Sequence, residues 1–167
     1  TILQYLDRGI RGILGPHVTT RADAEQLVRA CYFGPEGERS FGGNRGCDYD
    51  HALDDKVNWY RETNENMLVA ALLEDAGVVE NLDEILDVPG IGVIFLGPTD
   101  LAASAREDGP NAPRVDALVH QVLEACLERN IPCGYPIVAS TPEDAERQTA
   151  RRLAEGFKVL AVMTTVR

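Results

Sequence analysis

Short, continuously apolar runs alternate along this chain with stretches whose apolar positions recur at helical spacing. Ile10 to Val18, Met67 to Leu73, Val93 to Leu96, Ile131 to Val138 and Lys158 to Met163 are such runs, bounded mostly by Gly, Pro or acidic residues. They predict strands with apolar side chains on both faces, the pattern of a parallel sheet. The helical stretches lie before and between them. Ile2, Leu3 and Leu6 share one face of Thr1 to Arg8, and Gly9 suits a helix C-cap. Thr20 can cap a helix that carries Ala24, Leu27, Val28 and Cys31. Val78 to Leu86 predicts a brief helix stopped by Asp87-Val-Pro-Gly90. Val115, Leu118, Val119, Val122, Cys126 and Leu127 form one stripe of an amphipathic helix. Thr141-Pro-Glu-Asp144 opens another with a cap, a Pro at the first position and early acids, and Gly156 closes it.

The alternation predicts one α/β domain whose parallel sheet is covered on both faces. A doubly wound sheet fits the strand count. Yet no glycine-rich phosphate loop follows any strand, and Gly42-Gly43 falls in a long polar stretch from Gly34 to Asn64. That stretch exceeds a simple connector, so it is a functional loop or partly helical, with His51 to Arg61 as the candidate helix.

At 167 residues, 44% apolar and 26% charged, the chain can bury the core of one domain. Its net charge of −11 argues against nucleic acid or an anionic membrane as partner, since phosphates call for clustered Lys and Arg. No run approaches the roughly 20 apolar residues of a membrane span, and no signal peptide is recognisable, so a cytoplasmic location is expected. The cysteines Cys31, Cys47, Cys126 and Cys133 show no CxxC spacing, which predicts buried free thiols rather than a zinc site or disulfides.

Glu74 closes the second apolar run and Asp100 follows the third. Carboxylates at the ends of successive parallel strands face one crevice and suit a hard divalent cation such as Mg²⁺ or Mn²⁺. The alternative is that each caps the helix after its strand.

The run Leu73-Glu74, then Glu80-Asn-Leu-Asp-Glu-Ile-Leu-Asp-Val-Pro-Gly90, then Phe95-Leu-Gly-Pro-Thr-Asp-Leu101 resembles the HpcH/HpaI aldolase family, and Gly34-Pro-Glu-Gly-Glu-Arg-Ser40 is similar to that family's G-x-R-[GS] loop. The resemblance covers essentially the whole chain. It implies a (β/α)8 TIM-type barrel, of which residues 1–167 supply about five strands as a single partial domain. The elements before the family's fourth strand and its last helix lie outside the match, and with them the family's general-base His and an Arg that stabilises enolate charge. This leaves a piece of a longer enzyme, a chain completed by another, or a decayed homologue.

The activity implied is carbon–carbon lysis: class II, metal-dependent cleavage of a 4-hydroxy-2-oxo acid to pyruvate and an aldehyde, or the reverse. Glu74 and Asp100 would hold Mg²⁺, Mn²⁺ or Co²⁺, and the backbone N–H groups of Thr99 and Asp100 would take the substrate carboxylate. Asp7 would orient the family's catalytic His; its place near a helix end alone reads as a solvated surface acid. The family also implies a homo-oligomer. A citramalyl- or malyl-CoA-type lyase, or a non-catalytic binding or assembly subunit, are the alternatives. Leu72 stands where the family has Gln and cannot hydrogen-bond substrate. His17, where the family has an apolar residue, is either a polar group facing the crevice or a histidine satisfied within the structure. Arg39 is read as structuring the long loop, with a substrate role as the alternative. His51 and His120 receive no role.

Overall fold

The computed structural model describes residues 1–50 and 55–164. Its strands are β1 (Gly12–Gly15), β2 (Leu68–Leu73), β3 (Val93–Leu96), β4 (Cys133–Ala139) and β5 (Val159–Thr164). Its helices are α1 (Ile2–Leu6), α2 (Arg21–Cys31), α3 (Lys56–Glu65), α4 (Leu82–Leu86), α5 (Pro98–Ala105), α6 (Pro113–Glu128) and α7 (Pro142–Glu155). All four strand pairs are parallel, and the order is β1-β2-β3-β4-β5. The five strands curl into half a barrel. A doubly wound sheet would reverse its order at a switch point, and this one does not.

Sequential order decides which face carries helices. Each right-handed crossover advances one strand in the same direction, so every connecting helix lands on the same side. Val69, Ala71 and Leu73 of β2, Ile94 and Leu96 of β3, and Cys133, Tyr135 and Ile137 of β4 join one core with Leu27 and Val28 of α2, Ile85 of α4, and Val119 and Val122 of α6. The opposite, concave face bears Leu14, Leu68 and Val138, which stay 47%, 48% and 58% exposed. Among the described residues, helices therefore cover one face and the other is left as the inner wall of a partial barrel. The strands are apolar on both sides because the second side is a barrel wall, to which no crossover of this chain returns.

Local signals act as expected where they are self-contained. The Thr20 hydroxyl accepts the Asp23 N–H while Asp23 reaches back to the Thr20 N–H, a full capping box for α2. Thr141 caps α7, Pro142 begins it, and Gly156 ends it at φ 115°, a conformation that glycine adopts without strain. Three boundaries move. β1 is shorter than the apolar run around it, because His17 turns into the left-handed region at φ 57°. The brief helix after Glu74 splits into a 3₁₀ turn (Ala76–Glu80) and α4. α3 begins at Lys56, capped by Asp55, later than the expected start at His51, which lies with residues 52–54 outside the described residues.

The stretch after α2 folds back beneath the sheet, at the end where the strands begin. Phe33, Phe41, Trp59 and Tyr60 cluster there with ring centroids 4.8 to 5.8 Å apart.

Candidate functional site

The carboxyl ends of β1, β2 and β3 build a site from three connections. Leu73 of β2 is paired with Leu96 of β3, so the next residues, Glu74 and Gly97, lie side by side. Glu74 is buried, at 7% exposure. Gly97 permits that closeness: a Cβ there would stand 2.8 Å from the Glu74 Cβ and 3.1 Å from its Oε2. On the other side, the turn leaving β1 is tied to β2 by the Val18 N–H, which donates to the Leu72 carbonyl at 3.3 Å. This turn delivers His17, whose backbone N–H donates to Glu74 Oε1 at 2.9 Å and whose Nδ1 lies 2.9 Å from the same oxygen. Among the described residues no donor reaches Oε2.

Gly97 is also the N-cap of α5 and offers no side-chain cap. Pro98 has no N–H, and the N–H groups of Thr99 and Asp100 have no partner among the described residues. These orphan donors and the positive end of the helix dipole form an anion-binding position. The side chains of Thr99 and Asp100 are both exposed.

Neither carboxylate is a helix cap. Asp75 caps the 3₁₀ turn by accepting the Gly77 N–H at 2.7 Å; with the Ser104 hydroxyl at 2.8 Å, that bond lowers its pKa below the usual carboxylate value. Asp100 lies inside α5, two residues beyond Pro98. The capping alternative thus fails for Glu74 and Asp100 alike. What remains is a buried carboxylate with one oxygen held and one open, beside a helix that carries an exposed carboxylate in its first turn. Those are hard oxygen donors, and Mg²⁺-like cations commonly take one or two carboxylates and keep water in their other positions. The donor set fits such a cation. Among the described residues, no three His, Cys, Asp or Glu gather as a denser cluster.

Other expected residues lie elsewhere or differ. Asp7 is not part of this site. A helix between parallel strands runs back from their carboxyl ends, so Asp7, the C-cap of α1, sits where β1 begins. There its Oδ1 accepts the Asn44 Nδ2 at 2.9 Å and faces Arg39 Nη2 at 3.9 Å, while its carbonyl accepts the Gly46 N–H at 3.1 Å. Arg39 is likewise buried among loop residues and structures the loop, lying over the Phe33 ring at 4.4 Å. Leu72 faces the concave side opposite Phe95, where the two form an apolar wall. His120 folds onto its own helix, with Nδ1 2.8 Å from the Asp116 carbonyl.

All four cysteines are buried free thiols. A hydrogen bond with Cys126 and burial push the Cys133 thiol up, and burial pushes Cys31 to about 11, so both stay protonated and inert.

His17 is the residue that sequence reasoning left undecided. Its side chain is 82% exposed, and its polar partner is Glu74, so it belongs to the crevice. The available signal was its place directly after the strand that neighbours the one ending at Glu74.

Residues 1–165 match the HpcH/HpaI aldolase/citrate lyase family. A hydroxypyruvate/pyruvate aldolase of Rhizorhabdus wittichii is 38% identical over 124 residues, covering 74% of this chain and 46% of that protein. A 2-keto-3-deoxy-L-rhamnonate aldolase of Escherichia coli is 32% identical over 141 residues, covering 83% of this chain and 51% of its own length. The chain thus spans about half the length of the curated relatives it matches. The crystal structure of an HpcH/HpaI aldolase from Desulfitobacterium hafniense superposes with a TM-score of 0.87 at 24% identity, covering 98% of this chain and 61% of that one, which speaks to the fold.

Proposed function

The chain belongs to the HpcH/HpaI aldolase/citrate lyase family, and from that premise we propose that it carries the cation and carboxylate subsites of a carbon–carbon lyase. The reaction is class II aldol cleavage of a 4-hydroxy-2-oxo acid to pyruvate and an aldehyde, with Mg²⁺, Mn²⁺ or Co²⁺. One observation carries the reading: Glu74 is buried with Oε2 open beside the unpaired N-terminus of α5.

In this reading Glu74 and Asp100 hold the cation. The N–H groups of Thr99 and Asp100 bind the substrate carboxylate and fix its orientation, a role suited to preorganised backbone donors. Leu72 and Phe95 form the apolar wall beside the bound 2-oxo acid and keep water from it. The cation, when bound, supplies Lewis acidity to the keto oxygen. No Lys is required, and Lys56 and Lys158 lie at the start of α3 and just before β5, away from Glu74.

The test is pyruvate release from 4-hydroxy-2-oxo acids by the protein with Mg²⁺ or Mn²⁺, then with EDTA. Turnover that EDTA abolishes and added cation restores is the expected result. Release of an acyl-CoA from malyl- or citramalyl-CoA, with 4-hydroxy-2-oxo acids untouched, would replace this assignment by the CoA-ester lyase.

A further inference from the structure

We propose that Leu72 and Phe95 select the 2-oxo acid by its third carbon, taking one that carries hydrogen or an alkyl group there and rejecting one that carries a hydroxyl. The inference rests on the lyase reading above and names the substrate class that the same crevice accepts.

Parallel pairing fixes which side chains share a face of the sheet. Leu14 pairs with Ala70, Leu72 with Phe95, Phe95 with Gly134, and Val138 with Met163, all on the concave side. Among the described residues, every side chain that the five strands turn to that side is apolar. Glu74, Thr99 and Asp100 all come from beyond the strand ends. The crevice therefore has a polar rim and a floor of carbon.

Leu72 and Phe95 are the part of the floor that meets the rim. Leu72 Cδ1 lies 3.5 Å from the point where a Cβ of Gly97 would stand, and Glu74 Oε2 lies 3.1 Å from that same point. Phe95 lies across Gly134 of β4, where a Cβ would overlap its ring. Strand β4 thus adds no side chain at that level.

A 2-oxo acid has few atoms to place. Its carboxylate goes to the N–H groups of Thr99 and Asp100, its keto oxygen faces the cation position, and C3 is what remains. With the rim committed, C3 rests on the floor. Hydrogen or methyl there is covered by Leu72 and Phe95 with no polar group desolvated. A hydroxyl there would exchange water for carbon and find no partner.

The experiment is calorimetric titration of the protein with 2-oxobutyrate and with hydroxypyruvate, in saturating Mn²⁺ and without aldehyde, so that binding is read without turnover. The two acids have equal numbers of heavy atoms and differ on C3 by methyl against hydroxyl. Apolar sites separate such pairs by about ten- to a hundredfold, so the native protein should favour 2-oxobutyrate by that ratio. Leu72→Asn sets an amide where the two methyl groups of Leu stood and should bring the ratio to within about threefold of unity. Leu72→Met keeps carbon of similar volume and should hold the native ratio within about threefold.

Equal native affinities for the two acids overturn the proposal. So does a Leu72→Asn ratio as large as the native one, or a Leu72→Met ratio that falls as far as that of Leu72→Asn. If pyruvate still binds in a Mn²⁺-dependent way in those cases, the lyase reading stands and only the role of Leu72 and Phe95 is lost. If no 2-oxo acid binds with Mn²⁺ present, both fall.

Discussion

Among the described residues two charged side chains are buried, Glu74 and Arg39, and they stand at opposite ends of one sheet. Arg39 is enclosed by its own loop. Its guanidinium lies over Phe33, faces Asp7 at 3.9 Å, and its backbone N–H donates to the Tyr32 carbonyl at 2.9 Å. Burial lowers its pKa from the usual value, and its Nε has no partner among the described residues. Glu74, by contrast, has one oxygen held from β1 and the other turned to the start of α5, where two N–H groups and an exposed carboxylate wait. The same cost of desolvation is met at one end by packing and at the other by an arrangement that a cation and an anion would complete. The lesson is that burial alone does not mark a site. What marks it is a polar group whose partners are supplied only in part by the fold.

The sharpest way to break this contrast is to remove the charges one at a time. Glu74→Gln and Asp100→Asn should each weaken Mn²⁺ binding by roughly a hundredfold or more, because one of two hard ligands is lost. The midpoint of thermal unfolding without cation should hardly fall. Calorimetric Mn²⁺ titration beside a melt measures both, and tight binding by either variant removes the ligand assignment.

Arg39→Ala should do the reverse. It empties a buried, ring-stacked position and leaves Asp7 without its cation, so unfolding free energy should drop by about 2–4 kcal/mol. Mn²⁺ affinity should persist below the melting point. A urea titration reads the first quantity; a loss of Mn²⁺ affinity without loss of stability would undo the division between the two ends.

The smallest effect lies at the seam of the site. Gly97→Ala puts a Cβ 2.8 Å from the Glu74 Cβ, so β2 and β3 must give way locally, at about 1–3 kcal/mol. Because Oε2 is displaced with it, Mn²⁺ affinity should fall as well, which distinguishes this glycine from one that serves only the fold.

Much of the scaffold was legible in order of appearance. Thr20 with Asp23, and Thr141, Pro142 and Gly156, mark helix ends through bonds that span three or four residues, so their sequence is their structure. Glu74 and Asp100 were legible because each follows an apolar run and successive parallel strands end side by side. Asp7 is the C-cap of α1, where its partners are Asn44 and Gly46 rather than Glu74. His17 stayed open because nothing near it in the chain holds its ring; its partner is 57 residues away. What covers each sheet face was not legible, since an apolar run does not say whether helices or a barrel lumen face it.

The sequence by itself determined the five strands and most helices between them, the parallel sense of the sheet, the loop role of Arg39 and the two carboxylates at strand ends. These depend on periodicity, caps and apolar runs, which act over a few residues. Only the tertiary structure decided that the strand order runs straight from β1 to β5, that the helices share one face, and that Glu74 lies between His17 and Gly97. Those facts come from strand register, which brings distant residues within hydrogen-bonding distance and leaves no trace in the spacing along the chain.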